Sequence, residues 1–169
     1  VRVWNQAEQR VKWRSSGLAA PVSAVRYEGL IAVAEHGKSR VISLNKDGEV
    51  DSILAEDLPA PTGLTVRDGQ LFVSDRSLGK ILKIAQNGQR LSEPEIVAEN
   101  LVSPEGFDFF DRKLVVIEAD LGEVTMIDTS GDKSLLARIP PGTQAASELQ
   151  PPSQVFNGVA VDDNGNVYI

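Results

Sequence analysis

Three columns of residues recur in a single register along the chain. Prolines stand at Pro21, Pro61 and Pro104, in steps of 40 and 43 residues. An acid closes an apolar run at Glu35, Asp75 and Glu118, and a turn glycine follows at Gly48, Gly88 and Gly131, with the same steps of 40 and 43. The unit is clearest from Pro61 to Gln89, PTGLTVRDGQLFVSDRSLGKILKIAQNGQ. Its apolar residues alternate in three short runs divided by turn residues, with Asp68-Gly69 after the first and Asn87-Gly88 after the last. Such dipeptides favour hairpins because both residues tolerate the positive φ of a primed turn. A fourth, more polar strand is predicted from Glu95 to Ala98. One such unit cannot bury its own apolar faces, so it has to stack on copies of itself.

Four antiparallel strands repeated every ~40–50 residues are the pattern of a β-propeller blade. The predicted fold is therefore all-β, a propeller of four-stranded blades with about four blade equivalents present. Residues 1–20 read as a half-blade, with strands over Val1–Trp4 and Arg10–Arg14. Residues 21–60 form a blade of strands Ser23–Tyr27, Leu30–Ala34, Arg40–Leu44 and Glu49–Leu54. Residues 61–103 are the template blade. Residues 104–155 hold a third, with strands Gly106–Phe110, Lys113–Ile117, Glu123–Ile127 and Ser134–Ile139. Residues 156–169 are a second half-blade, Gly158–Val161 and Asn166–Ile169. With half a blade at either end, the chain is expected to be a fragment of a longer propeller. The alternative is a four-bladed ring in which the two halves pair, since an open ring leaves unpaired strand edges. The step from Pro104 to Phe156 is 52 residues, nine longer than the one before it. The excess lies in Pro140–Val155, PPGTQAASELQPPSQV, an insertion expected to lie over the channel mouth, where loops on a rigid scaffold vary specificity.

Composition narrows the function. With 41% hydrophobic and 24% charged residues the chain has the balance of an ordinary folded domain. It has no cysteine, which excludes disulfides and thiolate chemistry. No apolar run approaches the ~18 residues of a membrane span, so no membrane partner is expected. A net charge of −7 disfavours nucleic acid, whose nonspecific binding runs on phosphate neutralisation by Lys and Arg. Small molecules and cations remain, and nothing indicates a compartment.

The repeated unit has the form Pro-x-Gly-hydrophobic, Asp-Gly, two-strand hairpin and terminal acid. It resembles the NHL-type blade and the blades of the regucalcin/gluconolactonase family, with strictosidine synthase-like proteins and paraoxonases as more distant relatives. The resemblance covers essentially the whole chain and implies six blades in the complete propeller. In gluconolactonase-like proteins an Asn in Pro-Asn-Gly and an Asp in Pro-Asp-Gly are ligands of a divalent cation. The residues at that x position are Val22, Thr62, Glu105 and Asn157, in Pro21-Val22-Ser23, Pro61-Thr62-Gly63, Pro104-Glu105-Gly106 and Phe156-Asn157-Gly158. By this resemblance Asn157 and Glu105 are the candidate metal ligands and Thr62 a candidate substrate contact, while Val22 can ligate nothing. A carboxylate with an amide oxygen suits calcium or magnesium, with zinc a further candidate. The acid-plus-aromatic motif that opens the gluconolactonase family is absent here.

Other residues fit structural roles. Glu35, Asp75 and Glu118 recur once per blade and are expected to accept backbone N–H groups of their own second-to-third strand connections. His36, the only histidine, has nothing to orient it as a base and builds neither a three-histidine zinc site nor a Ser-His-Asp triad. Arg2, Arg10, Lys12 and Arg14 read as a solvated outer strand pair, and Trp4 and Trp13 as packing residues. Asp162-Asp163-Asn164-Gly165 matches a calcium loop in composition alone, lacking its length and downstream Glu. Two functions follow. One is a gluconolactonase-like, metal-dependent hydrolase of lactones or related esters, with a small-molecule substrate at the channel mouth and no catalytic residue assigned. The other is a non-catalytic NHL-type module that binds a ligand or protein.

Overall fold

The computed structural model describes residues 1–139 and 158–169. The insertion Pro140–Val155 and the candidate ligand Asn157 lie outside the described residues. The strands are β1 (Arg2–Asn5), β2 (Arg10–Arg14), β3 (Pro21–Tyr27), β4 (Leu30–Glu35), β5 (Arg40–Leu44), β6 (Val50–Ala55), β7 (Pro61–Arg67) and β8 (Gln70–Asp75). They continue as β9 (Lys80–Gln86), β10 (Gln89–Ala98), β11 (Pro104–Phe110), β12 (Lys113–Glu118), β13 (Glu123–Ile127), β14 (Lys133–Arg138), β15 (Ala160–Val161) and β16 (Val167–Tyr168). Three sheets of four strands, β3–β6, β7–β10 and β11–β14, run in chain order and every pairing is antiparallel. Two-stranded sheets β1–β2 and β15–β16 flank them, and among the described residues these two remain separate sheets rather than closing into one blade. The repeats are the blades of a β-propeller.

The second strand of each blade explains the stacking. Leu71 and Val73 of β8 face Tyr27, Ala32 and Ala34 of the blade before, while Phe72 on the opposite side packs with Phe107, Leu114 and Val116 of the blade after. A strand buried on both faces reads as a continuous apolar run, and LFV is one. Leu64 and Val66 of β7 close the first interface and Phe109 of β11 the second, as their positions on inner strands require. Val1 and Leu18 pack on the far face of the first blade over Val33, Ile42 and Leu44. The basic hairpin is solvated as expected. Trp4, expected to pack, is instead 56% exposed. The period of two decides this: Val1, Val3 and Asn5 are partly buried, and Arg2 and Trp4 alternate with them into solvent.

Turn chemistry splits the glycine column in two. Glu28-Gly29, Asp68-Gly69 and Asn87-Gly88 all have paired positive φ, the two-residue primed turn their sequences predict. Gly48 and Gly131 belong to a longer loop, in which the Asn45 or Asp128 side chain accepts two backbone N–H groups. Asp162 does the same for Asn164 and Asn166, so its carboxylate closes a turn. Among the described residues the helical segments are two single 3-10 turns, His36–Lys38 and Ala119–Leu121. No helix among the described residues is long and apolar enough to cross a membrane.

Candidate functional site

In an up-and-down blade the inner strand begins, and the second strand ends, at the same end of the propeller. That end therefore collects the x residues, the terminal acids and the connections that follow them. The central channel opens between β3, β7 and β11 as a space of about 320 Å³, lined by Val25, Leu64, Val66 and Phe107 with Thr65 and Asp108 between them.

The terminal acids build this end. Glu35 and Asp75 have no exposed surface and Glu118 almost none. Each accepts a backbone N–H from the segment that enters its own inner strand: Ala19 to Glu35 at 2.8 Å, Ala60 to Asp75 at 3.0 Å and Val102 to Glu118 at 2.7 Å. This corrects the expected partner, because only Asp75 also takes a donor from the second-to-third strand connection, Leu78 at 2.9 Å. Side-chain length accounts for the choice. The two glutamates reach the residue two before their proline, and the shorter aspartate reaches the residue one before. Next to each acid, the backbone N–H of His36, Arg76 or Ala119 bonds the carbonyl of Ala20, Ala60 or Ser103. The acids are therefore clamps that fix the mouth.

On that frame one cluster of polar side chains bridges two blades. Arg76, directly after the clamp Asp75, reaches Glu105 of the next blade at 3.1 Å and Asp120 at 2.7 Å. The Ser103 hydroxyl donates to the other oxygen of Asp120 at 2.5 Å. Glu105 itself is fixed from behind. The Ser74 hydroxyl donates to the Glu105 carbonyl at 2.5 Å and accepts the Gly63 N–H at 2.8 Å. Thr62 donates to the Pro104 carbonyl at 2.9 Å and lies 3.0 Å from the Ser74 hydroxyl. The single hydroxyl proton of Thr62 thus has a protein acceptor. A Cβ on Gly63 would stand 2.4 Å from the Glu105 carbonyl, so the glycine of Pro-x-Gly is where the next blade's backbone touches this one.

Two predicted site residues, Thr62 and Glu105, are brought together through Ser74. His36 is exposed on the corresponding connection of the first blade. Arg76, Asp120, Ser103 and Ser74 were not singled out in the sequence. One signal was available: the residue after the terminal acid runs His36, Arg76, Ala119, and it changes character from blade to blade as the clamps do not.

Burial raises the Glu105 carboxyl above its ordinary value, with Arg76 opposing and Asp120 adding to the rise. The Ser103 hydroxyl and then Arg76 hold Asp120 below its own. The signs differ in consequence. Asp120 contributes stability that is present above its unfolded value and lost as pH falls through the lowered one. The Glu105 contribution is complete below the unfolded value and lost as pH rises through the raised one. Melting curves of wild type and Glu105→Gln from about pH 4 to 7 should therefore show the wild type losing stability relative to the variant as pH rises. A difference that stays flat or grows the other way contradicts the burial of Glu105.

The family resemblance implies a divalent cation, and its candidate ligand among the described residues, Glu105, is paired instead with Arg76. Glu105 and Asp120 converge on a single cation, the Arg76 guanidinium, so two carboxylate oxygens already face one positive charge. Among the described residues no group of three or more His, Cys, Asp or Glu side chains is placed to hold a metal.

No protein-family model and no curated protein matches the sequence. Solved structures do match the fold. A gluconolactonase from Xanthomonas campestris is 18% identical with a TM-score of 0.69, over 98% of this chain and 60% of that one. A calcium-binding regucalcin from Agrobacterium tumefaciens is 13% identical with a TM-score of 0.63, over 85% of this chain and 55% of that one. A virginiamycin B lyase from Staphylococcus aureus is 16% identical with a TM-score of 0.56, over 87% of this chain and 47% of that one. At these identities the likeness is one of fold, and the chain spans between about half and 60% of the length of those proteins.

Proposed function

We propose that this chain carries part of the channel-mouth site of a metal-dependent hydrolase of lactones or related esters. The observation that supports it is the position of Glu105, its side chain only 13% exposed and its backbone fixed by Ser74 and Thr62, at the end of the propeller where the inner strands begin. The matched gluconolactonase and calcium-binding regucalcin lend the reading its substrate class and its ion. Glu105 would hold the metal, with Asn157 as a second ligand by its sequence motif. Calcium or magnesium suits oxygen donors of this kind, with zinc a further candidate. When bound, such an ion polarises a carbonyl and lowers the pKa of a bound water.

The chain's own residues set the geometry. Ser74 and Thr62 tie the backbone of Glu105 to the second blade, so the carboxylate leaves a fixed point. Arg76 orients that carboxylate from the side, and Ser103 holds Asp120 as the second partner of Arg76. Thr62 would meet substrate through its remaining acceptor lone pair.

Glu105→Gln keeps size and removes charge. It should weaken calcium, magnesium, manganese or zinc binding by about 100-fold, since even outer-shell partners of a metal are worth 10–100-fold. Thr62→Ala should change that affinity far less. Calorimetric titration of each cation into the two variants and wild type is the test. Unchanged affinity in Glu105→Gln would leave the second reading, an NHL-type module binding a small ligand or a protein. That reading is favoured by one observation, the neutralisation of Glu105 by Arg76.

A further inference from the structure

The groove between the outer strands of the first two blades holds a cavity of about 300 Å³. Its floor is Leu54, Leu58, Leu82 and Ile84, all buried, and its rim carries Glu56, Asp57 and Arg90. Strand β10 opens it. Arg90 pairs with Ala85 and Glu95 with Lys83, so the four residues Leu91–Pro94 stand against Ile84 alone. A bulge bends its strand out of the ladder, and Pro94 has no N–H with which to rejoin it.

The corresponding place one blade further on shows what such a groove takes. Shifted by 43 residues, Asp57 becomes Asn100 and Arg90 becomes Lys133. There the Lys133 ammonium donates to the Asn100 carbonyl at 2.6 Å and lies 3.4 Å from the buried carboxylate of Glu118. Lys133 thus lays its aliphatic stem across the junction and delivers a charge to the exit of the preceding blade. Arg90 does otherwise: it stays at the rim, paired with Glu56 at 3.0 Å, with both side chains nearly half exposed. Asp57 offers a carboxylate where Asn100 has an amide, and Leu82 and Leu91 stand where the third blade has Thr125 and Ser134. The first groove is therefore the more apolar of the two, and the acid at its exit is left to be met by another cation.

We propose that this groove binds a small organic amine, a protonated ammonium on a short apolar chain, in the place that the Lys133 side chain fills at the next junction. The ammonium meets Asp57 and the chain lies on the leucine floor. Charge sets the class of ligand. Arg90 answers Glu56, so the rim keeps the negative charge of Asp57, and an anion would meet two carboxylates. Volume sets its size: about 300 Å³ is the lower end for ligand pockets, which suits a chain of lysine length or slightly more. The groove is built from outer strands, away from the channel and Glu105, so the proposal does not depend on a metal at the mouth.

The test is titration of butylamine, hexylamine and hexanoate into the full-length protein at about pH 7, where an alkylamine is protonated, followed by methyl NMR. Hexylamine should shift the methyl signals of Leu54, Leu58, Leu82 and Ile84 and should bind about tenfold more tightly than butylamine, since each buried methylene is worth roughly fourfold. Hexanoate should bind far more weakly than hexylamine. Asp57→Asn should weaken hexylamine by about fivefold, the worth of one exposed ion pair. That variant should fold, because Asn100 holds the same left-handed backbone at the same place, φ 60° against 58° for Asp57. Hexylamine that leaves the floor methyls unmoved, hexanoate that binds as tightly, or an amine affinity that Asp57→Asn leaves unchanged overturns the proposal.

Discussion

Replacing Asp75 by alanine should cost about 2–4 kcal/mol, a large loss for a polar side chain. Its carboxylate has no exposed surface and accepts the N–H groups of Ala60 and Leu78. Alanine leaves the buried Ala60 N–H without a partner, at about 1–3 kcal/mol, and removes the acceptor of the more exposed Leu78 N–H, at about 1 kcal/mol. In a chain of this length that shift corresponds to roughly 5–15 °C in melting temperature. Asp75→Asn keeps one acceptor oxygen at the same place and should lose about half as much. Thermal or urea unfolding of the two variants decides the matter. A loss under about 1 kcal/mol in Asp75→Ala would mean that the terminal acid does not clamp the mouth.

Gly63→Ala carries the second large effect, and it joins stability to the site. The new methyl group would lie 2.4 Å from the Glu105 carbonyl and 3.0 Å from the Ser74 hydroxyl. A backbone atom cannot turn aside as a side chain would, so the two blades have to part locally. Overpacking of this kind costs about 1–3 kcal/mol. The movement also breaks the Ser74 bond that fixes Glu105, so cation binding should weaken together with stability. Gly131→Ala makes a useful comparison, because no atom lies within 4 Å of the added group and only the positive φ opposes it. A Gly63→Ala protein as stable as wild type would contradict the close contact between the blades.

The fold was legible because it is written several times. Proline, terminal acid and turn glycine each serve one purpose per blade, so their spacing exposes the period without any account of packing. The purposes themselves were only partly legible. That the acids accept backbone N–H groups follows from their burial at a strand end. Which N–H depends on one methylene of side-chain length, visible only once Ala19, Ala60 and Val102 have positions. The site resisted in a different way. Glu105 stood out because it occupies a repeated place, whereas Arg76 and Asp120 meet across a blade junction and share no column. Sequence spacing reports what recurs, and a site is built from what does not.

The proposed hydrolase requires a metal-dependent reaction at the mouth that holds Glu105. Lactone hydrolysis should be followed with the full-length protein as purified, after stripping with a chelator, and after the return of calcium, magnesium, manganese or zinc one at a time. Stripping should lower the rate by about 100-fold, one of the cations should restore it, and none should restore Glu105→Gln. A rate that stripping leaves unchanged, a Glu105→Gln protein as fast as wild type, or no hydrolysis under any of these conditions would contradict it.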